Sequence, residues 1–284
     1  MSATHCVGMA SLSRRTIGWT SAAAFVAIFG AIRLVPVVGV ADRYASSGRL
    51  DSGTALMTVE RIALATISIG TLVAGLVVLS VVTLRRRGAG PAVRMAGAVL
   101  GAAASAEVLK RILPFDPSTT STGQAITSGS FPSGHAAIAA AIALAVAATI
   151  GPRRARLWWG PLVAWVSLVA AGTVAAGWHR PSDAVGGVLL AVVWHTALVR
   201  TPVAEVSPAA AVRLSTGSRR SWGAPGWRWW GAATAAILVA ALAPHAGEVE
   251  LRETAGHLYV VGLAAVLATT GALMFVGSPR AVAS

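Results

Sequence analysis

SGSFPSGH at residues 128–135 and WHRPSD at residues 178–183 are two short polar stretches in a chain of long apolar runs. Each stretch lies where one apolar run gives way to the next, and each places a histidine beside a predicted helix start. We expect the two stretches to face each other across one pocket, at the same end of a bundle of helices. Most of the remaining chain is expected to build the bundle that holds them.

The composition around these stretches indicates a membrane protein. Of the 284 residues, 55% are hydrophobic and only 12% are charged, and the mean hydropathy is +0.70. Soluble domains carry about 25% charged residues, whereas an apolar run of about 20 residues is long enough to cross a bilayer. The predicted fold class is therefore all-α, a polytopic integral membrane helical bundle, and the sequence contains neither a strand-period pattern nor an internal repeat.

Eight apolar runs, six before a basic linker and two after it, divide the chain into four parts. The runs cover residues 16–40, 55–84, 92–113, 134–151, 157–177, 184–199, 229–243 and 256–276. The predicted parts are an N-terminal tail with the first transmembrane helix and an outer loop (1–54), core helices that carry both polar stretches (55–199), a basic cytoplasmic linker (200–228) and two further transmembrane helices (229–284). Paired arginines before the first run would also fit an export signal, but the length of the run favours a retained helix.

The distribution of basic residues predicts how the bundle is oriented. The net charge is +13, and most of the 23 lysines and arginines lie in alternate connections, such as 85–87, 153–156 and 200–228. Because cytoplasmic connections are enriched in lysine and arginine, we expect both termini in the cytoplasm of a multi-pass cell-membrane protein and both polar stretches outside. The partner that this charge predicts is the lipid bilayer and not nucleic acid, and the arginine- and tryptophan-rich segment 218–230 fits an interfacial anchor. Cys6 is the only cysteine, which excludes an internal disulfide and a metal site built on cysteines.

The first polar stretch has the residues of an anion site. Pro132 and Gly134 allow a sharp turn and a close approach of the backbone, and free amide groups at the following helix start attract anions. Ser133 adds a hydroxyl donor, and His135 in the first turn can hold a proton for a leaving oxygen. The alternative is an ordinary helix entry with a capping serine and a packed histidine.

The second polar stretch pairs a histidine with a carboxylate. His179 and Asp183 are four residues apart, which places them on one face of a helix, and Pro181 suits its first turn. The carboxylate can bond one ring nitrogen and leave the other free as a nucleophile. The alternative is an interfacial ion pair, with His179 and Trp178 in the aromatic belt.

Lys110 is the third candidate, at the outer end of the third run. Its ammonium can neutralise phosphate charge, or it can extend to the interface as lysines near helix ends do. Glu107, one turn earlier, is its expected partner.

Three features follow one another on one membrane face: Lys110, PSGH at 132–135, and His179-x-x-x-Asp183 followed by Gly186 and Gly187. This arrangement resembles the type 2 phosphatidic acid phosphatase superfamily, which also includes vanadium haloperoxidases. The resemblance covers roughly residues 55–199. It implies that His179 attacks phosphorus and becomes a phosphohistidine, that Asp183 orients His179, and that His135 protonates the departing oxygen. It also implies that phosphate oxygens are held by Ser133, Gly134 and Lys110, and that no metal or other cofactor is needed.

Two arginines of the family pattern are missing from their expected places. Pro117 and Ser118 stand where the first motif has arginine and proline, and Gly172 and Thr173 stand where the third motif has serine and arginine. Losing one donor to a transferring phosphoryl group can slow a reaction about 10²-fold or more. Either other arginines replace the missing ones or the protein is slow or inactive. The candidate replacements are Arg111, Arg180, Arg33 and Arg61.

The leading functional hypothesis is a membrane hydrolase that removes phosphate from an isoprenoid or glycerolipid monophosphate or diphosphate at the extracytoplasmic face. The alternative is a weak or inactive relative that binds lipid headgroups or scaffolds a membrane complex, and a transporter ranks third. The sequence leaves open the substrate, the oligomeric state and the role of the last two helices.

Overall fold

The structure, a computed structural model, describes residues 14–47, 62, 64–113, 130–199, 262, 264–267 and 270–271. Over these ranges the secondary structure is helical, without a strand, which confirms the predicted fold class. The described residues contain seven continuous helices, namely α1 (Arg14–Leu34), α2 (Pro36–Ser47), α3 (Ile69–Arg87), α4 (Ala89–Ile112), α5 (Gly134–Ile150), α6 (Pro152–Ala175) and α7 (Pro181–Leu198).

The first apolar run was predicted to be a single helix, and this prediction is wrong. The run breaks at Val35, and α2 then continues to Ser47, into the outer loop predicted between the runs 16–40 and 55–84. Pro36 explains the break, because proline has no N–H to donate and disfavours helical backbone in the residue before it. Hydropathy missed this boundary because residues 36–40, which follow the break, are as apolar as the end of α1.

Two very short connections join α3 to α4 and α5 to α6. Gly88 and Gly151 occupy them with φ of 86° and 84°, values that favour glycine because it has no Cβ. Helices α4 and α6 consequently start earlier than the predicted runs 92–113 and 157–177, and Arg154 lies inside α6 and not in a connection. Arginines at 85–87 thus end one helix just before such a turn, at the end of the bundle away from both polar stretches.

Helices α5 and α7 form the centre of the bundle. They pack on each other, and α7 also contacts α1, α2, α4 and α6. Their buried faces are mostly alanine, glycine and valine, as expected where helices approach closely in lipid. At Gly101 the α4 backbone lies against the ring of Trp194, whose Nε1 donates to Ser105 Oγ at 3.0 Å.

The outer surface of the bundle is apolar. Large exposed side chains such as Val77, Val93 and Leu168 point outward, which in a soluble monomer would be an unusually large apolar patch. In the described ranges four helices are long and apolar enough to cross a membrane, namely Arg14–Leu34, Ala89–Ile112, Leu157–Ala175 and Pro181–Leu198. Helix α5 is shorter and is buried on most sides. The chain is thus a helical membrane protein.

The described part of the last apolar run reaches the bundle. A Cβ added at Gly262 would lie 2.7 Å from Pro181 Cγ and 3.4 Å from Ala45 Cβ, and Val266 is fully buried. This segment therefore packs beside the start of α7, where the sequence analysis assigned it no role. The predicted linker 200–228 and the run 229–243 lie outside the described residues.

Candidate functional site

The two polar stretches lie side by side at one end of the bundle. The Ser133 backbone N–H donates to the Asp183 carbonyl oxygen at 2.8 Å, a direct bond between the start of α5 and the start of α7. Phe131 supports this junction, because its ring lies between Phe25 and Phe29 of α1 and against Gly186. The Phe131–Pro132 peptide bond is cis. The two stretches thus lie at the same end of the bundle, as predicted, and are in direct contact; a pocket between them stays a prediction.

Ser133 and Gly134 begin α5 beside the predicted lysine. Ser133 is fully buried, and its Oγ accepts from Ala136 N at 3.4 Å as the helix cap. A Cβ added at Gly134 would lie 3.3 Å from Lys110 Nζ and 3.0 Å from Glu107 Oε1. Lys110 Nζ donates to Glu107 Oε1 at 2.8 Å, the pairing expected from their spacing. The ammonium therefore lies at the amino end of α5, where amide groups and positive charge converge.

His179 and Asp183 form a close pair at the start of α7. His179 Nδ1 lies 3.5 Å from Asp183 Oδ2, and the side chains are 10% and 1% exposed. Asp183 Oδ2 accepts from Arg180 N at 2.8 Å, and the His179 backbone N–H donates to the Thr173 carbonyl at 3.1 Å. His179 Nδ1 and Asp183 Oδ1 are buried without a hydrogen-bond partner in the described part of the chain. Because Nδ1 faces the carboxylate, Nε2 is the ring nitrogen available to a substrate.

His135 completes the cluster. It lies near enough to His179, Lys110 and Glu107 for their charges to act on it, and its ring centroid is 5.5 Å from that of Trp178. The structure thus brings His135, His179, Asp183 and Lys110 to one end of the bundle. Within the described ranges no group of three His, Cys, Asp or Glu side chains could hold a metal ion.

The structure describes three of the four candidate replacement arginines. Arg111 is exposed in the last turn of α4, and Arg33 is exposed in the last turn of α1. Arg180 precedes α7 next to the His179–Asp183 pair, which makes it the nearest of them in sequence to the site. Arg61 and the motif positions 117 and 118 lie outside the described residues.

Thr173 stands where the family pattern has its second arginine. It is fully buried, and its hydroxyl donates to the Ala170 carbonyl at 2.8 Å. Its own carbonyl accepts from both Trp178 N and His179 N. Thr173 therefore holds the end of α6 and the backbone of His179, and its hydroxyl is engaged within the helix.

Asp42 is a site residue that the sequence analysis missed. Its Oδ1 accepts from Ser182 N at 3.1 Å and its Oδ2 accepts from Ser182 Oγ at 2.6 Å. The carboxylate of α2 thus caps the first turn of α7, directly beside Asp183. No spacing in the sequence links residues 42 and 182, and the outer loop predicted after the first run concealed the helix that contains Asp42.

The ionisation of Asp42 is shifted by this position. Burial of the carboxylate, followed by the charge of Asp183, raises the pKa of Asp42 from 3.8 to about 6, against the opposing effects of Ser182 and Arg180. The folded protein therefore takes up a proton as pH falls through about 6, before the unfolded chain does. The resulting stabilisation is fully present below the unfolded pKa of 3.8 and is lost as pH rises through about 6.

Asp42→Asn is expected to remove this pH dependence. The asparagine keeps an oxygen for Ser182 N but has no titration, so the gain in stability between pH 7 and pH 4, at most about 3 kcal/mol, should be smaller than in the wild type. Thermal unfolding followed by tryptophan fluorescence in detergent micelles measures it. Ser182→Ala is the matched variant, because losing a hydroxyl that lowers the Asp42 pKa should move the transition to higher pH. Identical pH curves for all three proteins would contradict the assignment.

Comparison with known proteins gives a family match over part of the chain. Residues 89–206 match the model of the PAP2 superfamily, which confirms the resemblance stated from the motifs. The match starts at the first residue of α4 and contains Lys110, both polar stretches and α7, but it omits the residues 55–88 that the sequence analysis included. No curated protein and no solved structure gives a significant match. Together with the membrane-length helices, the match indicates a membrane protein of phosphatase type.

Proposed function

We propose that this protein removes phosphate from a lipid monophosphate or diphosphate at the extracytoplasmic face of the membrane, through a phosphohistidine intermediate and without a metal ion. One observation carries the proposal, the 2.8 Å backbone bond from Ser133 to Asp183. It brings the candidate acid, His135, to the same end of the bundle as the candidate nucleophile, His179. Isoprenoid and glycerolipid phosphates fit the proposal equally.

The proposed reaction has two steps. His179 Nε2 donates its electron pair to phosphorus, a P–N bond forms, and the bond from phosphorus to the lipid oxygen breaks while His135 gives that oxygen a proton. Water then attacks the phosphohistidine, His135 takes the proton, and phosphate leaves as the P–N bond breaks. Asp183, 3.5 Å from Nδ1, stabilises the positive charge that develops on the His179 ring.

Binding of the phosphate would use the start of α5. Backbone amides at a helix amino end and the Lys110 ammonium both favour an anion there. The Glu107 carboxylate holds Lys110 in place, and at 60% side-chain exposure it is well solvated. A lipid substrate is favoured over a soluble phosphoester because the helices around the site present apolar side chains outward, which gives a lipid chain direct access.

Trapping of the intermediate tests the proposal. Purified protein in detergent micelles is mixed with a lipid phosphate labelled with ³²P, quenched in base and analysed for acid-labile label on the protein. Label is expected on the wild type and is expected to be absent from His179→Asn. His135→Asn should acquire label more slowly than the wild type, because this variant lacks the acid that protonates the leaving oxygen. A His179→Asn protein that is labelled like the wild type would overturn the mechanism.

A second candidate, a relative that binds lipid headgroups without turnover, is favoured by Thr173. The position at which the family pattern has an arginine holds a fully buried threonine whose hydroxyl is bonded within its own helix. Saturable binding of a lipid phosphate together with no phosphate release and no label on His179 would favour this candidate. Release of phosphate that depends on His179 would exclude it.

A further inference from the structure

A groove opens between α1 and α7 at the opposite end of the bundle from the candidate site. Its volume is about 590 Å³, within the range of about 300–1,000 Å³ usual for small-molecule sites. The first turns of α1 form one wall and the last turns of α7 form the other. The lining residues are Arg14, Arg15, Gly18, Trp19, Ala22, Val193, Thr196 and Ala197.

The floor of the groove is fixed by two contacts between its walls. A Cβ added at Gly18 would lie 2.7 Å from Thr196 Oγ1, so the two helices approach closely at this level. Arg14 donates from Nη2 to the Thr196 carbonyl. Since backbone carbonyls near the end of a helix carry partial negative charge, this bond places a guanidinium at the carboxyl end of α7. These two contacts fix the separation of α1 and α7 beside the groove.

The chemistry of the lining is that of an amphiphile site. Arg14 and Arg15 place two positive charges at one end, and among the described residues that line the groove there is no aspartate or glutamate. Ala22, Val193 and Ala197 give the rest of the groove an apolar surface. Trp19 is 76% exposed, and an exposed indole at the end of a transmembrane helix is typical of the headgroup level.

We propose that this groove binds an anionic phospholipid of the leaflet at the arginine-rich end of the bundle. The phosphate lies against Arg14 and Arg15, and one acyl chain lies between Ala22 and Val193. Arginine is suited to the headgroup because its planar guanidinium bonds phosphate oxygens in pairs. A membrane lipid is the occupant because the charged end leads into an apolar channel on the flank of a helix that crosses the membrane.

Lipid titrations of the full-length protein in detergent micelles, followed by native mass spectrometry, test this site. Phosphatidylglycerol is expected to remain bound under conditions that remove phosphatidylcholine. The double variant Arg14→Gln/Arg15→Gln should weaken phosphatidylglycerol binding at least about tenfold. The control Arg85→Gln/Arg86→Gln removes the same charge from exposed arginines at the same end of the bundle and should stay within about twofold of the wild type.

Two further variants distinguish lipid binding in the groove from general electrostatic attraction of anionic lipid to the protein. Arg14 also bonds α7, so Arg15→Gln alone and Ala22→Leu, which fills the channel but keeps both charges, are measured as well. Both should weaken phosphatidylglycerol binding while tryptophan fluorescence reports an unchanged fold. Equal losses in the two double variants, full binding by Ala22→Leu, or displacement of the lipid by excess inorganic phosphate would each overturn the proposal.

Discussion

Phosphate release from a lipid phosphate is expected to fall by at least about 10³-fold when His179 is replaced by alanine. The proposed reaction forms a bond to His179 Nε2, and a methyl group has no electron pair to take its place. No other histidine is held against a carboxylate in the described ranges in the way that His179 is held 3.5 Å from Asp183. Steady-state release of inorganic phosphate from micellar substrate measures kcat/KM for the wild type and the variant.

A histidine at the other end of the same helix provides the control. His195 lies in the last turn of α7, and His195→Gln should keep activity within a few-fold of the wild type once both proteins are shown to be folded. Binding of a lipid phosphate to His179→Ala should persist, because Lys110 and the start of α5 are intact. If His179→Ala retains wild-type turnover, the nucleophile lies elsewhere and the proposed mechanism fails.

Replacing Gly187 by alanine is expected to cost about 3 kcal/mol of stability and to abolish activity. The added Cβ would lie 2.3 Å from the Ser133 carbonyl oxygen and 3.0 Å from Ala137 N, and neither backbone atom can rotate away as a side chain can. Helices α5 and α7 would have to separate, which breaks the Ser133–Asp183 bond that joins the two polar stretches. Thermal unfolding followed by tryptophan fluorescence gives the first effect, and phosphate release gives the second.

Two other glycines calibrate the Gly187 result. Gly160→Ala in α6 meets no atom of the described residues within 4 Å and should leave stability unchanged or raise it by up to about 1 kcal/mol. The three atoms nearest to a Cβ added at Gly186 all belong to the ring of Phe131, the first at 2.6 Å, and this ring can tilt, so the loss of stability in Gly186→Ala should be intermediate. A Gly187→Ala protein as stable and active as Gly160→Ala would show that the close approach of α5 and α7 is not needed.

The end of α1 and the position of Asp42 were predicted wrongly for the same reason. Hydropathy averages over many residues, so the apolar residues that follow Pro36 concealed the end of α1 and the whole of α2. Asp42 was then placed in a loop, although its carboxylate caps α7 beside Asp183. The proline rule was sufficient to find the break, but nothing in the sequence connects two residues that are 140 positions apart.

The amino-acid sequence by itself determined the class of the protein and pointed to the proposed site. Long apolar runs require helices that satisfy their own backbone hydrogen bonds in lipid. The spacing of serine, glycine, lysine, histidine and aspartate predicts an anion site with a nucleophile. Only the tertiary structure decided which groups meet. The Ser133–Asp183 bond, the position of Lys110 at the start of α5, the Asp42 cap and the groove between α1 and α7 depend on how closely helices approach. That distance is set by side-chain packing between distant parts of the chain, at glycines such as Gly187 and Gly18, and local sequence patterns do not encode it.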